Sequence, residues 1–228
     1  MLHGKPNMPK VLKCNFKSAI IKSQEKSYEK HKRGGIVIHK LAHMIADYLC
    51  NNDTIKEEEK DIYIYGYEIM ISNIVNFLII LSLGLLLNQL IDGFLFYIVF
   101  IITRQYCGGY HANTYLKCNL IFGTLCLITL FFSNMLYPYI SFISLMILFF
   151  IYLGCILEYA PIDNEYKKIS EEDKKKYRKI SIWIGILWLV VDVLLYLTAK
   201  EYAITLTITL VIIAMLMVIE INKRKEYI

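Results

Sequence analysis

Apolar residues are not spread evenly along this chain. The first 68 residues are polar and lysine-rich, and the remainder is a series of apolar runs broken by short polar stretches. In IVIHKLAHMIADYLC, residues 36–50, Ile38, Leu41, Ile45, Tyr48 and Leu49 recur at helical spacing. That pattern predicts an amphipathic helix lying in a membrane interface. The apolar runs then predict six spans, at 69–90, 94–102, 119–133, 140–157, 182–197 and 203–219. A span needs about 20 apolar residues, or as few as about 17. The second and third runs fall short unless residues 103–118 add turns to both. Residues 158–179 are polar and basic and read as a loop.

Composition agrees with the pattern. Of 228 residues, 57% are hydrophobic, where ordinary soluble domains hold about 45–50%. The 20% that are charged must therefore be segregated from the apolar runs. The expected fold class is an all-α integral membrane protein with six transmembrane helices, preceded by the amphipathic interfacial helix. Residues 1–35 are expected to be a basic flexible tail and residues 36–228 a membrane-embedded domain with six spans. The tail's eight lysines and Arg33 are compatible with a solvated segment or with contact to anionic lipid. No secretory signal peptide is expected, because no apolar stretch or small-residue cleavage site follows the first lysines.

Charge sets the expected orientation. Residues 1–68 hold twelve Lys and Arg, 103–118 two, 158–180 seven and 221–228 three, and the three opposite loops contain only Lys200. Six alternating spans with both termini in the cytoplasm put every basic segment inside. Residues 103–118 then lie on the cytoplasmic side.

Two carboxylates fall near apolar runs. Asp192 is mid-span, where it is either a functional group or a packing residue paired with a neighbouring hydroxyl or tyrosine. Glu220, beside Lys223 and Arg224, reads as interfacial. His39 and His43 are four apart on the predicted amphipathic helix, with no Glu, Asp or Cys partner obvious nearby to complete a metal site. The six cysteines contain no CxxC pair. Cys126 and Cys155 fall in apolar runs and read as packing residues, and a reducing environment suits Cys107 and Cys118.

The polar break RQYCGGYHANTYLKC, residues 104–118, gathers two of those cysteines, an arginine, a Gly-Gly pair and the only histidine in the last 185 residues. A thiol becomes a strong nucleophile when an imidazole takes its proton or a helix N-terminus stabilises its anion. On one unbroken helix His111 and Cys118 would be separated by about 10.5 Å of rise, too far for a hydrogen bond. A dyad requires a turn between them. Gly108-Gly109 breaks the preceding helix, and Asn113 or Thr114 can cap the next. With Thr114 as cap, Cys118 is the fourth helical residue, near the positive end of the dipole. The two glycines also let backbone N–H groups approach a substrate carbonyl as an oxyanion hole. The competing readings are a structural hairpin with a packing cysteine, and a Cys107/His111/Cys118 metal site that lacks a fourth ligand.

Arg104, Gly108, Gly109, His111 and Cys118 together resemble the signature of the accessory gene regulator protein B (AgrB) family, the membrane endopeptidases of Gram-positive peptide quorum sensing. YAPIDNEYKKI, residues 159–169, resembles the family's Ala-Pro-x-Asp segment, and YGYEIMISN, residues 65–73, resembles the segment that opens its first span. The resemblance runs from about residue 36 to about residue 220. Two features depart from it: the long N-terminal tail, and Cys107 at a position where a small neutral residue is expected.

The resemblance implies Cys118 as nucleophile and His111 as general base. It also implies a short AgrD-type precursor peptide as substrate, a thioester acyl-enzyme and a cyclic thiolactone product. Membrane lipid and a second copy of the chain are the other expected partners. No cofactor, metal or nucleic acid is expected. Arg104 is expected either to hold a substrate carboxylate or lipid phosphate, or to serve as a positive-inside anchor. Pro161 and Asp163 are expected to shape the substrate entrance. The alternative function is a small membrane peptide transporter without protease chemistry, with Asp192 as its polar element. A third option is a scaffold that recruits a partner through the tail.

Overall fold

The computed structural model describes residues 36–110, 112, 114–162 and 171–225. The tail before residue 36, His111 and Asp163 therefore lie outside the described residues. Seven α-helices occupy the described residues, with no strand among them: α1 Ile36–Asn51, α2 Lys60–Leu86, α3 Leu90–Cys107, α4 Tyr115–Leu136, α5 Phe142–Tyr159, α6 Glu171–Thr198 and α7 Lys200–Lys225. A 3₁₀ turn, Glu57–Glu59, leads into α2. The last six helices are each long and apolar enough to cross a membrane, which fits a multi-pass membrane protein.

The helices extend beyond the apolar runs in informative ways. The short second run gains Leu90–Gly93 in front and Thr103–Cys107 behind, and the third gains Tyr115–Cys118. Residues of the polar break thus complete both spans. The basic segment expected as a loop to residue 179 is already helical from Glu171, so α6 carries its charged first turns ahead of its apolar run.

The chain divides into two compact units. The first comprises residues 1–68 and 113–115. Within it α1 and the start of α2 run antiparallel. Lys60 Nζ bonds Asp47 Oδ1 at 2.9 Å, and two turns along each helix His39 Nδ1 meets Glu68 Oε1 at 2.6 Å. Ala42 and Ala46 are fully buried on α1, with Ile64 of α2 buried in the same unit. Val37, Leu41, Met44 and Tyr48 form an exposed apolar stripe on α1, as an amphipathic helix requires.

The second unit comprises residues 69–112 and 116–228. Helix α7 is its centre: 67% of its apolar window is buried, against 22% for α5, and it packs on α3, α5 and α6. Phe96, Phe100 and Phe122 cluster with ring centroids 5.3–5.4 Å apart, Phe96 stacked on Phe100 and Phe122 edge-on to Phe100. Polar side chains tie the helices as well. Thr205 Oγ1 donates to Asp92 Oδ1 at 2.5 Å, Thr207 Oγ1 to Asp192 Oδ1 at 3.0 Å, and Trp188 Nε1 to Thr103 Oγ1 at 2.9 Å. Where lipid surrounds the helices, close packing and such bonds hold the bundle, because burial against a partner helix gains little over burial in lipid.

Candidate active site

Helix α3 stops where its sequence can no longer remain helical. Gly108 has φ +77° and ψ −156°, and Gly109 has φ +130°. Both conformations favour glycine. The Gly108 N–H donates to the Arg104 carbonyl at 3.1 Å and closes the helix. A Cβ on Gly108 would lie 2.4 Å from the Ile162 carbonyl oxygen, so no larger residue fits there. The Ile162 N–H in turn donates to the Cys107 carbonyl at 3.0 Å. Two sequence segments that are about fifty residues apart are thereby joined backbone to backbone. Pro161, in a cis peptide bond with Ala160, lies beside this junction.

The chain leaving the glycines is held by α7. The Tyr110 N–H donates to the Leu216 carbonyl at 3.3 Å, and Lys223 Nζ lies 5.7 Å from the centroid of the Tyr110 ring. Helix α4 begins at Tyr115, directly after Thr114, so Cys118 is its fourth residue. A group in the first turn experiences the positive end of the helix dipole. Cys118 is half-buried; its thiol is free, as are those of Cys50, Cys107, Cys126 and Cys155. Cys126 is fully buried, and so is Cys107.

Arg104 lies beside Cys118. Its guanidinium comes within side-chain hydrogen-bonding reach of the Cys118 sulfur. Nη2 donates to the Tyr110 carbonyl, and the guanidinium carbon sits 5.3 Å from the Phe100 ring centroid. Phe100 and Arg104 are four apart on α3, a spacing readable from sequence that places them on one face. The Tyr110 carbonyl is a partner that no residue pattern would have identified.

Other expected groups fall elsewhere. Asp192 is fully buried and accepts from Thr207, the neighbouring hydroxyl of the packing reading. Glu220 is only 4% exposed, because the packing of α7 covers this turn. His39 and His43 do touch, with ring centroids 4.6 Å apart. His39 also has the acidic neighbour that the sequence did not reveal, Glu68, whose other oxygen accepts from Tyr115 Oη at 3.1 Å. Among the described residues no group of three His, Cys, Asp or Glu side chains is arranged to hold a metal.

A sequence profile of the family described as Accessory gene regulator B matches residues 42–221. The chain belongs to the AgrB family. Its AgrB region takes in both segments of the Gly108–Ile162 junction, Arg104, Cys118 and nearly all of the six long apolar helices, and it leaves out residues 1–41. An AgrB-like protein 2 of Clostridium perfringens strain 13 is 30% identical over 165 residues, covering 69% of this chain and 77% of that protein. An AgrB-like protein of Listeria innocua is 31% identical over 151 residues, covering 64% and 72%. These AgrB relatives come from Gram-positive bacteria. No solved structure matches the chain. Membership of the AgrB family supports a role in agr quorum-sensing peptide processing.

Proposed function

We propose that the protein is a membrane cysteine endopeptidase that removes the C-terminal tail of an AgrD-type precursor and closes the remaining segment into a thiolactone. The observation that carries this reading is the setting of Cys118. A half-buried thiol in the first turn of α4 faces the Arg104 guanidinium, at the end of the bundle where the Gly-Gly turn meets Ile162. Cys118 attacks the scissile carbonyl, and His111 takes the thiol proton and returns it to the leaving amine. The acyl-enzyme is a thioester. A cysteine within the substrate attacks it, and the exchange of one thioester for another is close to isoenergetic. Ring closure then needs no nucleotide. Water must be kept from the thioester, since hydrolysis yields a linear product.

The distribution of Lys and Arg supports a site on the cytoplasmic face. Membrane lipid around the helices and a second copy as partner are what the family resemblance implies. Pro161 and Asp163 would border the approach of the precursor.

The test is co-expression with a tagged precursor and mass spectrometry of the products. Wild type should release the C-terminal fragment and a product one water lighter than the linear peptide, while Cys118→Ala and His111→Ala yield neither. Normal processing by Cys118→Ala would remove the nucleophile and, with it, the peptidase reading.

A further inference from the structure

Acyl transfer at Cys118, the reading on which this inference rests, puts negative charge on the scissile carbonyl oxygen twice, once in each half of the reaction. A donor must face that oxygen. Two backbone N–H groups of the Gly-Gly turn are engaged elsewhere: Gly108 donates to the Arg104 carbonyl and Tyr110 donates to the Leu216 carbonyl. Arg104 is placed differently. Its guanidinium is fixed on one side by the Tyr110 carbonyl and supported by the Phe100 ring. It meets the Cys118 thiol, while Nε is buried and has no hydrogen-bond partner among the described residues. A positioned guanidinium with an N–H in reserve, next to a nucleophilic sulfur, is arranged for an anion that forms on the atom bonded to the carbon under attack.

We propose that Arg104 is a catalytic residue, donating its Nε–H to the oxyanion of both tetrahedral intermediates formed at Cys118. In the first half, Cys118 Sγ bonds to the carbonyl carbon and the C=O π pair moves onto oxygen, where Nε–H receives it as a hydrogen bond. Collapse of the intermediate restores C=O and breaks the C–N bond. The amine leaves with that electron pair and takes the proton that His111 had accepted from the thiol. In the second half, the substrate's own thiol, giving its proton to His111, bonds to the same carbon, oxygen again carries the charge, and the bond to Cys118 Sγ breaks, the sulfur keeping the electron pair and regaining the proton from His111. Arg104 keeps all its protons throughout. This assignment differs from an arginine that grips a substrate carboxylate or a lipid phosphate, which must point away from the nucleophile to reach its ligand.

The experiment uses the full chain in lipid vesicles, the tagged precursor, and the variants Arg104→Lys and Arg104→Gln, with iodoacetamide labelling of Cys118 as the check that the site is folded. The expected result is a fall in kcat of about 10²–10³-fold in both variants, the usual effect of losing one oxyanion donor, with KM within about threefold of wild type. A peptide aldehyde ending at the cleavage residue reports on the same donor without turnover. Its hemithioacetal oxygen occupies the oxyanion position, so its binding relative to the matching peptide amide should drop at least about tenfold in Arg104→Lys. Should the variants fail to fold, the wild-type protein still decides the matter. The carbonyl stretch of a ¹³C-labelled acyl-enzyme should lie below that of the same thioester in apolar solvent, and an unshifted band overturns the assignment. A loss confined to KM, or an unchanged aldehyde-to-amide ratio, also overturns it and favours a substrate-carboxylate role. Cys118→Ala separates the two levels. If it still processes the precursor, the peptidase reading fails; if it is inactive while both Arg104 variants work at the wild-type rate, only the role of Arg104 fails.

Discussion

Cys50 and Cys118 lie in different units of the molecule and show what a partner does to a thiol. Cys50 lies in the last turn of α1 and donates its proton to Glu57 Oε2 at 2.9 Å. That hydrogen bond to a carboxylate pushes the Cys50 thiol up from its usual range, so at neutral pH it stays protonated. Cys118 begins a helix and faces a guanidinium, a group with donors only. One thiol has its proton occupied by an acceptor; the other has a donor beside its sulfur. The same contrast separates the carboxylate and guanidinium sites at large. Each oxygen of Glu68 has a protein partner, His39 for one and Tyr115 for the other, and such a matched group is structural. Arg104 keeps one buried N–H without a hydrogen-bond partner among the described residues, and an unmatched buried polar group calls for an explanation.

The largest effect that could break this comparison comes from removing each thiol in turn. Cys118→Ala should reduce precursor cleavage to background, whereas Cys50→Ala should leave the yield within about twofold of wild type. Equal loss from both, read by mass spectrometry of co-expressed precursor, would sink the distinction. Next comes the turn that positions the reactive end. Gly108→Ala must adopt a glycine-only backbone conformation, at a cost of about 1–3 kcal/mol, and then meet the Ile162 carbonyl oxygen. Thermal unfolding in detergent should show a lower Tm and processing should fall with it; an unchanged Tm means that the junction with Ile162 does not hold the turn.

A smaller effect sharpens the Cys50 side. Because the Glu57 bond raises the Cys50 thiol, Glu57→Gln should move its alkylation profile to lower pH, with more thiolate at any given pH below the midpoint. Iodoacetamide labelling across pH, with Cys50 followed by peptide mapping, checks the sign; no shift leaves Glu57 without influence. The smallest effect is expected at Asp192→Asn. Oδ1 can still accept from Thr207, so stability should change by no more than about 1 kcal/mol and processing should persist. Normal cleavage with loss of product export in that variant would instead revive a transport role for Asp192.

Much of the architecture is visible along the chain because membrane burial is written residue by residue. Six apolar runs became six long helices, and α4 begins at Tyr115, which puts Cys118 in its first turn. The charged start of α6 escaped that reading. Residues 171–179 are as polar as a loop, but nothing in them breaks a helix: there is no Gly or Pro, and Glu and Lys are good helix formers. The burial of Glu220 was likewise not readable, since adjacent basic residues suggest solvent while the tertiary packing of α7 covers that turn.

Composition and motif spacing thus determine that the chain is helical, that it carries six spans, and that its reactive side chains gather between residues 104 and 118. Local rules suffice there: helix length against bilayer thickness, glycine at positive φ, a threonine at a helix start. Which groups meet across the fold is a separate matter. That Gly108 closes on Ile162, that Arg104 holds the Tyr110 carbonyl and faces Cys118, and that Glu68 completes His39 and Tyr115 depend on contacts between residues up to about fifty positions apart. A side chain's own neighbours in sequence carry no record of such distant partners, and only the packing of one helix against another selects them.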